Sequence, residues 1–164
     1  MMTPGGIYRL AKSFVKDGIS LMALMRFSAN YYPDRCALVS DGKQFTYKEL
    51  YECANRLAKA LFSEYGLKAG MCVGLLCKNH FMSILSLVAL SRLGVRIKLV
   101  NTDIVPEKLN ELVNKDRIKL LIYDAELKDV HISGDLPCLV KDTTELYHAL
   151  SANDRKDNLT LPRI

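Results

Sequence analysis

The sequence predicts an α/β domain: a mostly parallel sheet wrapped by helices, with a small hairpin near the N-terminus. Three observations carry this expectation. The runs Cys72–Cys77, Val95–Val100 and Lys119–Tyr123 are nearly continuous apolar stretches, the pattern of parallel strands buried on both faces. Segments between them place apolar residues three and four apart, so strand and helix alternate as a wrapped parallel sheet requires. The composition is also globular, with 164 residues of which 49% are hydrophobic and 25% charged. That balance excludes a disordered chain, a collagen-like repeat and a low-complexity tail.

Each element has its own signal. The first 30 residues read as two helical pieces broken near Gly18, with Ile19, Met22, Ala23 and Phe27 on one face. Tyr31-Tyr32-Pro33-Asp34 is a turn, because the residue before proline is biased away from helix. Ala37 to Ser40, the turn Asp41-Gly42, and Lys43 to Phe45 form the hairpin. Thr46 with Glu49 makes a capping box for a helix carrying Leu50, Ala54, Leu57, Ala58, Leu61 and Phe62. Lys48, Glu52, Arg56 and Lys59 mark its wet face, and Gly66 stops it. Asn79 is placed to cap the next helix, Phe81 to Leu93, which is apolar nearly all round and ends at Gly94. Thr102 or Asp103 caps a helix with Pro106 in its first turn and Leu109, Leu112 and Val113 on its apolar face. Leu136–Val140 is a fourth strand and Thr144–Leu150 a last helix. Three regions result: a helical extension over 1–35, an α/β unit over 36–150, and a polar tail over 151–164.

Several function classes fall away. The longest apolar run, Phe81 to Leu90, is half the length a membrane span needs. Arg9, Lys12, Lys16 and Arg26 interrupt any signal-peptide core. A formal charge of +5 is too diffuse for a nucleic-acid surface, and Tyr31-Tyr32 with Arg26 and Arg35 is too small a patch. Cys36, Cys53, Cys72, Cys77 and Cys138 read as buried reduced thiols of a cytosolic protein, and Cys72-x4-Cys77 is a poor zinc pattern. His80, His131 and His148 lie far apart and read as surface or capping residues; no metal site is expected. There is no dinucleotide fingerprint and no Walker-type phosphate loop. Gly66, Gly70 and Gly74 read as turn residues.

The least ordinary polar residues are Asn79-His80 and Asn101-Thr102. Both pairs follow parallel strands, at the carboxyl ends where open α/β sheets bind ligands. Helix capping is the competing reading of Asn79 and Thr102.

Phe45-Thr46-Tyr47-Lys48-Glu49-Leu50 and Ala54-Asn55-Arg56-Leu57-Ala58-Lys59-Ala60-Leu61 resemble the N-terminal region of adenylate-forming (AMP-binding) enzymes. The likeness continues through Gly66-Leu67-Lys68-Ala69-Gly70-Met71-Cys72-Val73 and the strand ending Lys78-Asn79-His80. It extends over the helix Leu85–Gly94 and Leu99-Val100-Asn101-Thr102, and Tyr32-Pro33-Asp34-Arg35 also fits. Lys78-Asn79-His80 with Asn101-Thr102 resembles the fatty-acyl-CoA synthetase branch. Met71 and Lys98 depart from the family pattern, at positions that read as structural.

The resemblance implies the N-terminal subdomain of the acyl-CoA synthetase-like fold. It also implies a parent that activates a fatty acid with ATP and magnesium, then passes the acyl group to CoA. The family's phosphate loop, acyl pocket, ribose-binding Asp and C-terminal lysine have no counterpart in these 164 residues. No catalytic or cofactor residue is carried over, and the chain is expected to be inactive by itself. Leu161-Pro162-Arg163-Ile164 looks like the strand leading toward that loop. Two alternatives stand beside this reading. One is a stand-alone binding domain derived from the family, whose basic N-terminus touches a membrane surface or a partner. The other is an unrelated flavodoxin-like domain. The expected location is cytoplasmic, with a peripheral membrane contact. Self-association is expected through the apolar 81–93 helix or an open sheet edge.

Overall fold

Thr46 and Glu49 decide where the longest helix begins. The Thr46 hydroxyl accepts from the Glu49 N–H at 3.2 Å, and a Glu49 carboxylate oxygen accepts from the Thr46 N–H at 2.8 Å. This reciprocal cap satisfies two donors that have no partner inside the helix. Helix α3 then runs Tyr47–Tyr65 and closes at Gly66, whose φ of 63° suits a residue without a Cβ. The chain is seen here as a computed structural model that describes residues 4–17, 19–132, 136–152 and 161. The expected break at Gly18 and most of the 151–164 tail lie outside those residues.

Before α3 come α1 (Pro4–Asp17), α2 (Leu21–Tyr31) and a hairpin of β1 (Cys36–Ser40) with β2 (Lys43–Thr46). Asp41 and Gly42 turn that hairpin with φ of 51° and 74°, the geometry that matches the twist of its strands. After α3 the chain alternates: β3 (Cys72–Leu76), α4 (Phe81–Arg92), β4 (Arg96–Leu99), α5 (Pro106–Asp116), β5 (Ile118–Tyr123). A short turn of helix and α6 (Lys128–His131) lead to β6 (Leu139–Asp142) and α7 (Thr143–Ala152). Strands β4-β3-β5-β6 pair in parallel in that order. The mixed α/β architecture, parallel sheet and small hairpin agree with the sequence expectation.

The sheet separates two cores. Val73, Leu75, Leu120 and Ile122 face α2, α3, α4 and α7, while Leu76, Ile118, Leu121 and Tyr123 face α5 and the turn at Leu127. Strands β3 and β5 are buried on both faces, as their apolar runs require. β4 is not. It is an edge strand with Arg96 and Leu99 exposed, so its apolar run overstates its burial. Gly74 is also reassigned: it sits inside β3, not in a turn, where an added Cβ would come within 2.8 Å of a Leu121 methyl.

Helix α2 belongs to the main core through Met22 and Ala23. Ile19 does not share that face. It precedes the helix and is 97% exposed, because Ser20 is the cap and starts the helical turn after it. Burial of α4 closes one expected route to self-association: Met82, Leu85, Val88, Ala89 and Leu90 already pack against neighbouring elements. Lys98, a departure from the family pattern, pairs with Asp116 at the end of α5, Nζ to Oδ2 2.9 Å.

Candidate functional site

Strand β3 has β4 on one side and β5 on the other. Helix α4 follows β3 onto one face of the sheet, whereas the turn at Leu127 follows β5 onto the opposite face. The loops after β3 and β5 therefore part at the carboxyl edge. Such a divergence marks the edge at which open α/β sheets place ligands.

His80 and Asp124 meet at this edge. His80 Nε2 lies 2.7 Å from Asp124 Oδ1, and the Asp124 side chain is only 8% exposed. The Lys78 N–H donates to Asp124 Oδ2 at 2.7 Å, and the Thr143 hydroxyl donates to Oδ1 at 3.2 Å. One carboxylate thus ties the loop after β3, the end of β5 and the start of α7. Next to it, the Cys77 thiol donates to the Ile122 carbonyl at 3.6 Å. Burial pushes that thiol far above the usual thiol range, and the neighbouring Asp124 carboxylate adds to the shift.

The second ring nitrogen fixes what His80 can do. His80 is the N-cap of α4, and its Nδ1 accepts from the Met82 N–H at 3.2 Å. Nε2 must then carry the proton that goes to Asp124. Ser83 completes the cap: its hydroxyl accepts from the His80 N–H at 3.1 Å and donates to the His80 carbonyl at 2.8 Å. Both ring nitrogens are committed, so the pair braces the loop and has no nitrogen left to take a proton from a substrate. The capping expectation for His80 is met. Capping by Asn79 is corrected: the cap falls one residue later, because Asp124 and the Met82 N–H hold the His80 ring across the helix start.

Asn79 and Asn101 stand exposed at the ends of β3 and β4, and Thr102 is half-buried. The Asn101 side-chain oxygen accepts from the Asp103 N–H at 3.1 Å, a local turn. Neither Thr102 nor Asp103 caps α5. Val105 takes that position with no side-chain cap, since Pro106 behind it favours an extended residue there and itself has no N–H to satisfy. The structure therefore brings His80 to Asp124, while the Asn101-Thr102 pair keeps to its own loop. Sequence reasoning missed Asp124 and Thr143. The available signal was a single carboxylate directly after the third apolar run, at a strand's carboxyl end.

His131 is buried, not superficial, with Nδ1 hydrogen-bonded to the Ile104 carbonyl. His148 is exposed. All five cysteines are free, with Cys72 buried and Cys36 exposed, which corrects the expectation that all are buried. Among the described residues no three His, Cys, Asp or Glu side chains converge as metal ligands. Asp124 is engaged by three donors, the Lys78 N–H, the His80 ring and the Thr143 hydroxyl.

The sequence profile of the AMP-binding enzyme family matches residues 25–161. A medium/long-chain-fatty-acid–CoA/3-oxocholest-4-en-26-oate–CoA ligase of Mycolicibacterium smegmatis is 28% identical over 140 residues, covering 85% of this chain and 24% of that protein. A 2-succinylbenzoate–CoA ligase of Listeria innocua is 34% identical over 94 residues, covering 57% of this chain and 20% of its own length. Among solved structures, NpsA-ThdA, an artificially fused adenylation-PCP di-domain from Klebsiella oxytoca, superposes with a TM-score of 0.75 at 21% identity. That superposition covers 88% of this chain and 26% of the other. The chain thus spans about a quarter of the length of the curated relatives it matches. Parallel sheet, ordered motifs and a profile match across most of the sequence converge on one assignment: the chain belongs to the AMP-binding enzyme family.

Proposed function

We propose that these residues form the N-terminal α/β layer of an ATP-dependent carboxylate–CoA ligase whose acid is a fatty acid. In that reaction the carboxylate attacks the α-phosphorus of ATP, giving acyl-AMP and pyrophosphate. The CoA thiol then attacks the acyl carbon and AMP leaves. The observation that carries the reading is the alignment of 85% of the chain with a relative named for medium- and long-chain fatty acids. The resemblance of Lys78-Asn79-His80 and Asn101-Thr102 to the fatty-acyl branch points the same way.

The role of this layer is support. The Asp124–His80 brace holds the loop after β3 and the start of α4, and the sites for ATP, magnesium and CoA belong to other parts of such an enzyme. A cytoplasmic location goes with this reading and is supported by five unpaired cysteines.

Two assays test it. The 164-residue chain, given ATP, magnesium, a long-chain fatty acid and CoA, is expected to release no pyrophosphate. A chimera carrying residues 25–161 in place of the matching segment of the Mycolicibacterium ligase is expected to form acyl-CoA. Turnover by the chain alone, or a folded chimera that makes no acyl-CoA, overturns the proposal.

A further inference from the structure

Most large hydrophobic side chains in the described part of the molecule are buried, but five exposed ones cluster in sequence: Tyr8, Val15, Ile19, Leu21 and Leu24. Tyr8 and Val15, 69% and 70% exposed, lie two turns apart on one line of α1. Exposed Lys12 stands between them on that line. The opposite face of α1 turns inward, with Ser13 buried and Leu10 and Phe14 half-buried. Beyond α1, Phe14, Ile19, Leu21, Leu24, Val95 and Ile97 line an open groove of about 560 Å³. Its walls are mostly apolar, with Ser20 and Ser91 among them, and it runs from α1 and α2 to the edge strand β4.

Charge follows the same segment. Residues 1–33 contain four cations, Arg9, Lys12, Lys16 and Arg26, against one acid, Asp17. The rest of the chain is close to balanced, so three of the five formal excess charges lie in this first fifth of the sequence. An apolar face with an exposed lysine in it, on a segment of net positive charge, fits one kind of surface especially well. Hydrocarbon at the lipid boundary receives the apolar side chains, and anionic headgroups receive the ammonium groups. A second copy fits less well, because a two-fold contact centred on this face would set Lys12 against its own counterpart.

We propose that the outer face of α1 and the groove beside it form a docking surface for an anionic membrane, holding the protein peripherally at the bilayer. Tyr8, Val15, Ile19, Leu21 and Leu24 enter the interface, and Lys12 stays at headgroup level. No helix of the described residues is long and apolar enough to cross a membrane, so the contact is interfacial. This inference is independent of the reaction proposed above.

Cosedimentation of the 164-residue chain with vesicles tests it. Vesicles of phosphatidylcholine with about 30% phosphatidylglycerol should bind at least about tenfold more tightly than pure phosphatidylcholine, with the preference shrinking as salt rises. Lys12→Glu should remove most of the preference for the anionic vesicles. Ile19→Ser with Leu24→Ser should weaken binding to both kinds. Val15→Asn, outside the groove, should weaken it too and keeps the test open if the paired variant fails to fold by circular dichroism. Three outcomes overturn the proposal: no binding to either vesicle, equal binding to both, or a concentration-dependent dimer that Val15→Asn abolishes in place of any vesicle binding.

Discussion

Asp124 and His80, 44 positions apart, are joined by a 2.7 Å contact at the carboxyl edge of the sheet, between the loops that leave β3 and β5 for opposite faces. The contact gives the loop after β3 a fixed conformation and sets where α4 starts. Its energetic weight is testable. Asp124→Ala leaves the Lys78 N–H, the His80 ring N–H and the Thr143 hydroxyl without their acceptor. An unmade hydrogen bond at a buried donor costs ~1–3 kcal/mol. Some of that cost falls to water reaching the loop, so a net loss of ~3 kcal/mol is expected in chemical denaturation. Asp124→Asn, which keeps one acceptor oxygen, should lose less.

His80 performs two jobs that substitutions can separate. Asn is a good N-cap and can accept from a backbone N–H in the first turn, but it is too short to span to Asp124. His80→Asn should therefore cost ~1 kcal/mol, the Asp124 bond alone. His80→Ala should cost ~2–3 kcal/mol, since cap and brace are lost together. Equal losses in the two variants would mean that the brace contributes nothing.

The legibility of this site divides along physical lines. Thr46-Glu49 and Gly66 were readable because a cap acts within one helical turn. The two-faced strands were readable because burial leaves an unbroken apolar run. Asp124 was not, since nothing local says that a carboxylate will meet a histidine 44 residues earlier; only the parallel register of β3 with β5 brings them together. The burial of β4 was misread for a related reason. An apolar run reports what a strand tolerates, whereas its place at the sheet edge is decided by chain order across the whole sheet.

Ser86 makes a different prediction. Its hydroxyl is fully buried in α4 with no hydrogen-bond partner. Burying an unpaired hydroxyl is unfavourable, and alanine fills nearly the same space with higher helix propensity. Ser86→Ala should raise stability by ~1 kcal/mol, read as a shift in denaturant midpoint at unchanged slope. A loss of stability would show that the hydroxyl has a partner in solution.

The α3 cap should make stability depend on pH in acid. Hydrogen bonds from the Thr46 backbone and side chain hold the Glu49 carboxyl below its ordinary value of 4.5. A depressed carboxyl stabilises the folded state above the unfolded value and loses that contribution as pH falls through the folded one. Glu49→Gln should therefore be less stable than the parent near neutrality, and the difference should narrow below about pH 4.5. Thr46→Val, which removes the hydroxyl but keeps the backbone N–H, should flatten the same acid limb only in part. A stability difference independent of pH would assign the effect to packing and not to charge.

Asp124 also controls the thiol beside it. Cys77 is held protonated first by burial and then by the Asp124 carboxylate, so it should react slowly with a thiol reagent at mildly alkaline pH. Cys72, buried in β3, has its thiol raised mainly by burial and should be slow as well. Cys36 is exposed on β1 and should be labelled first. Replacing Asp124 by Asn removes the negative charge but not the burial. Labelling of Cys77 should then become faster, while Cys72, which does not depend on Asp124, keeps its rate. Mass spectrometry of the labelled peptides separates the sites. If Cys77 and Cys72 accelerate together, the variant has loosened the whole sheet. If only Cys77 does, the effect is local to Asp124, whose charge and hydrogen bond both hold the thiol protonated beside the loop where it also holds His80.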